Sequence, residues 1–296
     1  MADPPEAPVF DLQSHSLRSD GQLEPVDVVA SASAAGVELL ALTDHDTVDG
    51  VAEALEEAKR QGIALVPAVE LSVVDGLSED FHILGYHLDH TSPALLATLA
   101  AYREDRAARG DRMIDALAEL GFGLDLAALE KRRGAGLPIG RPHLAAAAVA
   151  ANRERLAPEG LDEMTAFLKA YLIPGRPAYR GRTTPTVAGA IETIHAAGGV
   201  AVWAHPFWDL DDPGDVLATL RRFAAAGLDG VEAFYVTHDR DQTRLLAATA
   251  AELGLLTTGS ADFHGPDHRL FSRFRAFDLH GHQPSLGSIG SGAARQ

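Results

Sequence analysis

Five short segments of this chain gather side chains that bind metal ions: 11–21 (DLQSHSLRSDG), 43–46 (TDHD), 67–70 (PAVE), 204–206 (AHP) and 260–264 (SADFH). Each lies at the end of an apolar run, at 8–10, 39–42, 63–69, 200–203 and 255–258. In parallel α/β folds the C-terminal ends of strands are where side chains converge on a ligand. Five such groups at five strand ends therefore describe one site. Imidazole and carboxylate donors without any thiolate suit Mn, Fe or Zn engaged in hydrolysis. The chemistry they could do is hydrolysis at a multinuclear metal centre.

Within that set, strand alternation sends Asp11, Gln13 and His15 to one side. His15 reads as a ligand. Asp20 stands in a Ser-Asp-Gly turn, where an aspartate can simply bond backbone; its place directly after the strand end favours a metal. His45 reads as a ligand, while Asp44 and Asp46 either ligate, orient a ligand or cap the next helix. Glu70 ends an otherwise apolar strand, and a carboxylate there needs a cation, so it is read as a bridge between two metals. His205 precedes a proline at a strand end. Asp262 and His264 form a DxH pair on one face. His82 opens its strand rather than closing it, and spacing alone leaves it undecided between ligand and structural histidine. His238, after a strand, has no comparable context.

The elements that must position these residues alternate. Short strands and helical patterns fill the first 90 residues and return after about residue 183, which reads as βαβ units on a parallel sheet. Pro25 opens a helix that Gly36 closes, and a second runs from Thr47 to Gln61 with Gly62 as its stop. Further helices are expected from Thr184-Pro185 to Ala197, over 213–226 and over 239–253. Seven strands at 8–10, 39–43, 63–70, 81–86, 200–204, 230–235 and 255–259 suggest a barrel rather than an open sheet. Between them, residues 91–182 are helical and rich in Ala and Arg, with one long helix or two near 95–120; they are read as an insertion. The Gly- and Ser-rich stretch 280–296 is expected to be a disordered tail.

The chain has 296 residues, 46% of them hydrophobic, enough for one large α/β domain with an insertion. It contains no cysteine, which excludes disulfides and thiolate zinc sites. The N-terminus is acidic and proline-rich with no run of signal-peptide length, and no stretch approaches the roughly 20 apolar residues of a membrane span. A cytoplasmic protein with neither membrane nor protein partner is the expectation. The net charge of -17 argues against duplex nucleic acid. Residues 101–182 are the exception, holding 14 of the 25 Lys and Arg but 11 of the 42 Asp and Glu. Such a segment beside an acidic metal site suits a small phosphorylated substrate.

The segments "DLQSHSLRSDG" (11–21), "ALTDHDTVDG" (41–50), "PAVELS" (67–72), "HILGY" (82–86), "AHP" (204–206) and "GSADFH" (259–264) together resemble the PHP family, named for polymerase and histidinol phosphatase domains. "GRPHLA" (140–145) and "YLIPGRPAY" (171–179) resemble its branch of stand-alone phosphoesterases acting on nucleotides and short oligoribonucleotides. The resemblance implies a distorted (βα)7 barrel with a helical insertion and a trinuclear centre held by His15, Asp20, His45, Glu70, His82, His205, Asp262 and His264. It also implies that Arg141 and His143 face the substrate phosphate. One departure stands out: the family's DxHxH is DxQxH here. Gln13 therefore weakens one metal site, leaving two ions, or holds a ligand water, and Asp11 and Asp44 are weak ligands or support. The expected cofactors are two or three divalent ions, Mn2+ first and Fe2+ or Zn2+ as alternatives. A metal-bound water would attack phosphorus, with Asp44 a candidate for proton transfer. Histidinol phosphatase and a non-catalytic metal or nucleotide binder are the alternatives, the latter resting on Gln13.

Overall fold

Glycine and proline punctuate the chain as the sequence suggests. Pro25 occupies the first turn of α1 (Pro25–Ala34), and Gly62 ends α2 (Val51–Gln61) in the left-handed conformation at φ 73°. The computed structural model describes residues 8–76, 78–134, 139–181 and 184–291. It divides into two units, Met1–Asp75 with Asp80–Leu99 and Pro185–Gln296, and Gly76–Glu79 with Ala100–Thr184.

Seven strands stand side by side in chain order: β1 (Phe10–Asp11), β2 (Leu39–Leu42), β3 (Ala64–Asp75), β4 (Ser78–Tyr86), β5 (Val200–Trp203), β6 (Gly230–Tyr235) and β7 (Leu256–Ser260). Parallel pairing joins β1 to β2 to β3 and β5 to β6 to β7. The first and last strands then meet, through Leu12 N–H to Gly259 O at 3.2 Å and His15 N–H to Phe263 O at 2.8 Å. The result is a distorted (βα)7 barrel.

The distortion has a consequence for the site. β4 runs antiparallel to β5, with Ile83 opposite Trp203. Its beginning therefore lies at the same end as the C-terminal ends of its neighbours, and the Ala204 N–H bonds His82 O at 3.1 Å. A short return from β3 permits only this direction, since a parallel strand needs a crossover of a dozen residues or more. That is why His82, read from the sequence as opening its strand but lying in the middle of β4, joins a site built at strand ends.

Outside the sheet, Val28 and Val29 of α1 and Ala54 and Ala58 of α2 bury with Leu40 and Leu42 of β2. The later helices are α3 (Pro93–Glu119), α4 (Leu126–Gly134), α5 (Arg141–Leu156), α6 (Met164–Tyr171), α7 (Val187–Ala196), α8 (Pro206–Asp209), α9 (Pro213–Ala225), α10 (Arg240–Leu253) and α11 (Ser288–Ser291). α3 passes Gly110 as one helix. The cap of α7 is Thr186, not Thr184-Pro185: its hydroxyl accepts the Gly189 N–H. The second unit has its own core, with Leu117, Phe122, Leu144, Ala148 and Phe167 buried together. Among the described residues no helix is long and apolar enough to cross a membrane.

The stretch after Gly281 corrects an expectation. Instead of a disordered tail, it is fastened along β7 as far as it is described. Thr257 N–H donates to Ser285 O at 2.9 Å, and Ser285 N–H to Thr257 Oγ1 at 2.8 Å. Ile289 is fully buried. Two apolar residues, Leu286 and Ile289, outweigh the flexible composition around them. Residues 292–296 lie outside the described part.

Candidate metal centre

Glu70 stands at the middle of four imidazoles, three from the segments after β1, β2 and β5 and one from within β4. Its Oε2 lies 3.1 Å from His15 Nε2 and 3.6 Å from His45 Nδ1, and its Oε1 lies 2.8 Å from His82 Nδ1 and 3.3 Å from His205 Nε2. Two more acids face the same rings. Asp262 Oδ1 is 3.1 Å from His15 Nε2 and 3.6 Å from His264 Nδ1. Asp20 is 3.5 Å from His15 Nδ1 and 3.6 Å from both His45 Nε2 and His264 Nε2. All eight residues read from the sequence as candidate ligands thus come together.

Two donor groups emerge, His15 with Asp20, His45 and His264, and His45 with Glu70 and His82, the donor atoms of each lying within 4.8 Å of one another. Donors around a single divalent ion stand about 3 to 4.5 Å apart, given bonds of roughly 2.0 to 2.2 Å. Four buried atoms, His15 Nε2, His45 Nδ1, His205 Nδ1 and Asp262 Oδ1, make no hydrogen bond. Each such orphan costs about 1–3 kcal/mol. Cations would satisfy them, and the residues fit divalent metals.

The electrostatics agree. Burial pushes His45 down to about 4, towards the neutral imidazole a metal requires. Burial would lower His205 as well, but Glu70 and Asp209 raise it to about 10. Burial likewise works against ionised Glu70 and Asp262, yet the surrounding histidines hold Glu70 well below its usual range and Asp262 at about 2. Protons and metals compete for the same places. Backbone strain also collects here: His205 (φ 31°) and Asp262 (φ 53°) adopt left-handed conformations that non-glycine residues avoid.

The PHP domain model matches residues 11–125. Over 259 residues the chain is 35% identical to a 3',5'-nucleoside bisphosphate phosphatase of Chromobacterium violaceum, covering 87% of each. It is 37% identical over 261 residues to a 5'-3' exoribonuclease of Haemophilus influenzae, covering 87% of this chain and 90% of that one. The chain belongs to the PHP family. Among solved structures, an amidohydrolase of C. violaceum with bound sulfate superposes with a TM-score of 0.77 at 31% identity, covering 96% of each chain.

Around this cluster the structure places Gln13, Asp11 and Asp44 outside the ring of candidate ligands. Gln13 Nε2 donates to Glu70 Oε2 at 3.0 Å, while its Oε1 lies 3.3 Å from the Ser260 hydroxyl, whose one proton goes to the nearer Glu232, so the amide stands between Ser260 and Glu70. Asp11 is turned away: its carboxylate accepts the backbone N–H groups of Ala261 and Arg275, at 3.0 and 2.8 Å. It ties strand ends together. Asp44 accepts Ser16 N–H at 2.7 Å and the hydroxyls of Ser16 and Ser19 at 2.6 and 2.7 Å. With both oxygens engaged, Asp44 is built to hold the loop between His15 and Asp20 rather than to move a proton. Asp44→Asn, which turns one acceptor oxygen into a donor, is expected to weaken metal binding about 10- to 100-fold. A competition titration with a chelating dye measures this; wild-type affinity would mean the loop is ordered by other contacts.

Two residues of this PHP site escaped the sequence reading. Glu232 of β6 is fully buried, accepting His205 N–H at 2.9 Å and Ser260 Oγ–H at 2.6 Å. Tyr235 O–H donates to Asp262 Oδ2 at 2.8 Å. Glu232 carried the signal that revealed Glu70, a carboxylate inside an apolar strand. Arg141 and His143 lie in the first turn of α5, in the second unit, where His143 Nδ1 accepts Gly140 N–H at 3.1 Å.

Proposed function

We propose that this chain is a metal-dependent phosphoesterase acting on nucleotides, with nucleoside 3',5'-bisphosphates and short 5'-phosphorylated oligoribonucleotides as its substrates. The observation that carries this reading is the ring of imidazoles around the buried Glu70, with its unsatisfied buried atoms. The activities named for the relatives at 35% and 37% identity support the substrate class. Divalent ions held by His15, Asp20, His45, Glu70, His82, His205, Asp262 and His264 would lower the pKa of water and steady charge on phosphoryl oxygens. Manganese suits this all-nitrogen and oxygen donor set, with iron or zinc as alternatives.

The chain's own residues do the rest. Gln13 and Ser260 fix Glu70, Asp44 fixes the loop to Asp20, and Tyr235 fixes Asp262. Such supporting bonds hold ligands in place before substrate arrives. Arg141 and His143 are kept as phosphate contacts on the family resemblance alone. The net charge of -17 favours a small substrate over duplex nucleic acid and is in keeping with a cytoplasmic enzyme.

The deciding test is phosphate release by manganese-reconstituted protein on 3',5'-bisphosphoadenosine, histidinol phosphate and a 5'-phosphorylated RNA trimer, with His264→Ala as control. Release from the bisphosphate, absent in the variant, supports the phosphatase reading, and mononucleotides from the trimer add exonuclease action. Turnover of histidinol phosphate alone would replace the substrate class. Silence on all three from metal-loaded protein would sink the enzyme reading.

A further inference from the structure

The cluster binds phosphate, on the reading above, but a nucleotide also carries a base, and the barrel rim offers an aromatic surface for it. Trp208 is 52% exposed and is the only aromatic among the exposed large apolar side chains of the described residues. The chain's other tryptophan, Trp203, is fully buried. Trp208 instead keeps about half its surface in water.

Its position is fixed by the site. Trp208 lies three residues after His205 in the short helix α8, and its N–H bonds His205 O at 2.8 Å. The indole meets Phe271 at 5.6 Å between centroids, and Phe271 in turn meets the candidate ligand His264 at 5.4 Å. His268 stacks on Phe271 at 4.9 Å with only 10° between planes, and also meets His264 at 5.3 Å. Leu270, 49% exposed, follows in the same loop. An unbroken series of rings therefore leads from the metal centre to an open indole. Single exposed apolar residues are ordinary; a large aromatic anchored at a catalytic rim is not.

We infer that Trp208, held edge-on against Phe271 with His268 stacked behind that ring, is the stacking platform for the nucleobase of the substrate. This inference rests on the phosphoesterase reading, since the phosphate at the cluster sets where the base falls. Every base has a π-face, so a platform of this kind selects nucleotides over other phosphate esters while tolerating different bases. It also gives single-stranded RNA a place for its terminal base.

Two measurements test it. Stacking is worth about 1–3 kcal/mol per base, so Trp208→Ala is expected to lower kcat/KM for 3',5'-bisphosphoadenosine by about tenfold or more, through KM. Turnover of ribose 5-phosphate, which has no base, should stay within about twofold, and Trp208→Phe should recover most of the loss. Equal losses on both substrates, or none on either, would overturn the platform. The second measurement needs no turnover. Adenosine 5'-monophosphate should quench the tryptophan emission of the wild-type protein and leave that of Trp208→Phe, which reports Trp203 alone, unchanged. If no ester is hydrolysed, the catalytic reading fails, and this quench alone decides the platform: absence of quenching removes it.

Discussion

Glu70→Gln protein is expected to release phosphate from 3',5'-bisphosphoadenosine at no more than about a thousandth of the wild-type rate, a barrier increase of roughly 4 kcal/mol. It should also retain less metal after dialysis. Among the described residues Glu70 is the one carboxylate that faces His15, His45, His82 and His205 together, at 2.8 to 3.6 Å. It is fully buried, so no water takes over its charge. Glutamine keeps the shape and removes the charge, leaving the imidazoles to hold cations without their central counter-charge. The fold should survive, because the Gln13 amide can turn to meet the new side chain; far-UV circular dichroism checks this. Metal content by mass spectrometry separates the two parts of the expectation. A variant keeping a tenth of the activity and its full metal content would remove Glu70 from the centre.

The candidate ligands were largely legible because they break local rules. Glu70 interrupts an apolar strand, and His205 and the Asp262–His264 pair close strands where a parallel barrel gathers its ligands. His82 was not legible from spacing, since its role depends on β4 running against β5. Strand direction is a property of the sheet and leaves no mark at the residue. Gln13 shows a second limit. Its amide serves Glu70 and Ser260, 57 and 247 residues away, and nothing local tells an amide that ligates from one that props a ligand. Asp44 reads from the sequence as a candidate for proton transfer, but Ser16 and Ser19 fill its oxygens. Some helix ends followed glycine and proline, as at Pro25 and Gly62, but α2 begins at Val51 rather than Thr47 and α3 runs through Gly110, whereas the segment around Ser285 followed its pairing with β7.

Glu232 should prove the most consequential residue that the sequence reading passed over. His205 holds a left-handed backbone, φ 31°, a conformation costing on the order of 1–3 kcal/mol unless its surroundings enforce it. The enforcing contact is the Glu232 carboxylate, which takes the His205 N–H on one oxygen and the Ser260 hydroxyl on the other. Burial raises Glu232 to about 8, so its surroundings tolerate a carboxylate there only at a cost. Glu232→Gln leaves one oxygen for two donors and strands one of them, a loss of about 1–3 kcal/mol. Freed from that bond, His205 can relax its backbone and swing Nε2 away from Glu70. Metal affinity is then expected to fall about 10- to 100-fold, with activity falling alongside. Glu232→Ala leaves the His205 N–H without its acceptor, though Ser260 can still turn to Gln13 Oε1, and opens a cavity, so its melting temperature should drop further than that of the glutamine variant. Thermal melts with and without manganese distinguish the causes. A role in orienting His205 predicts that manganese stabilises Glu232→Gln less than wild type at equal concentration. An equal manganese-induced shift would confine Glu232 to packing.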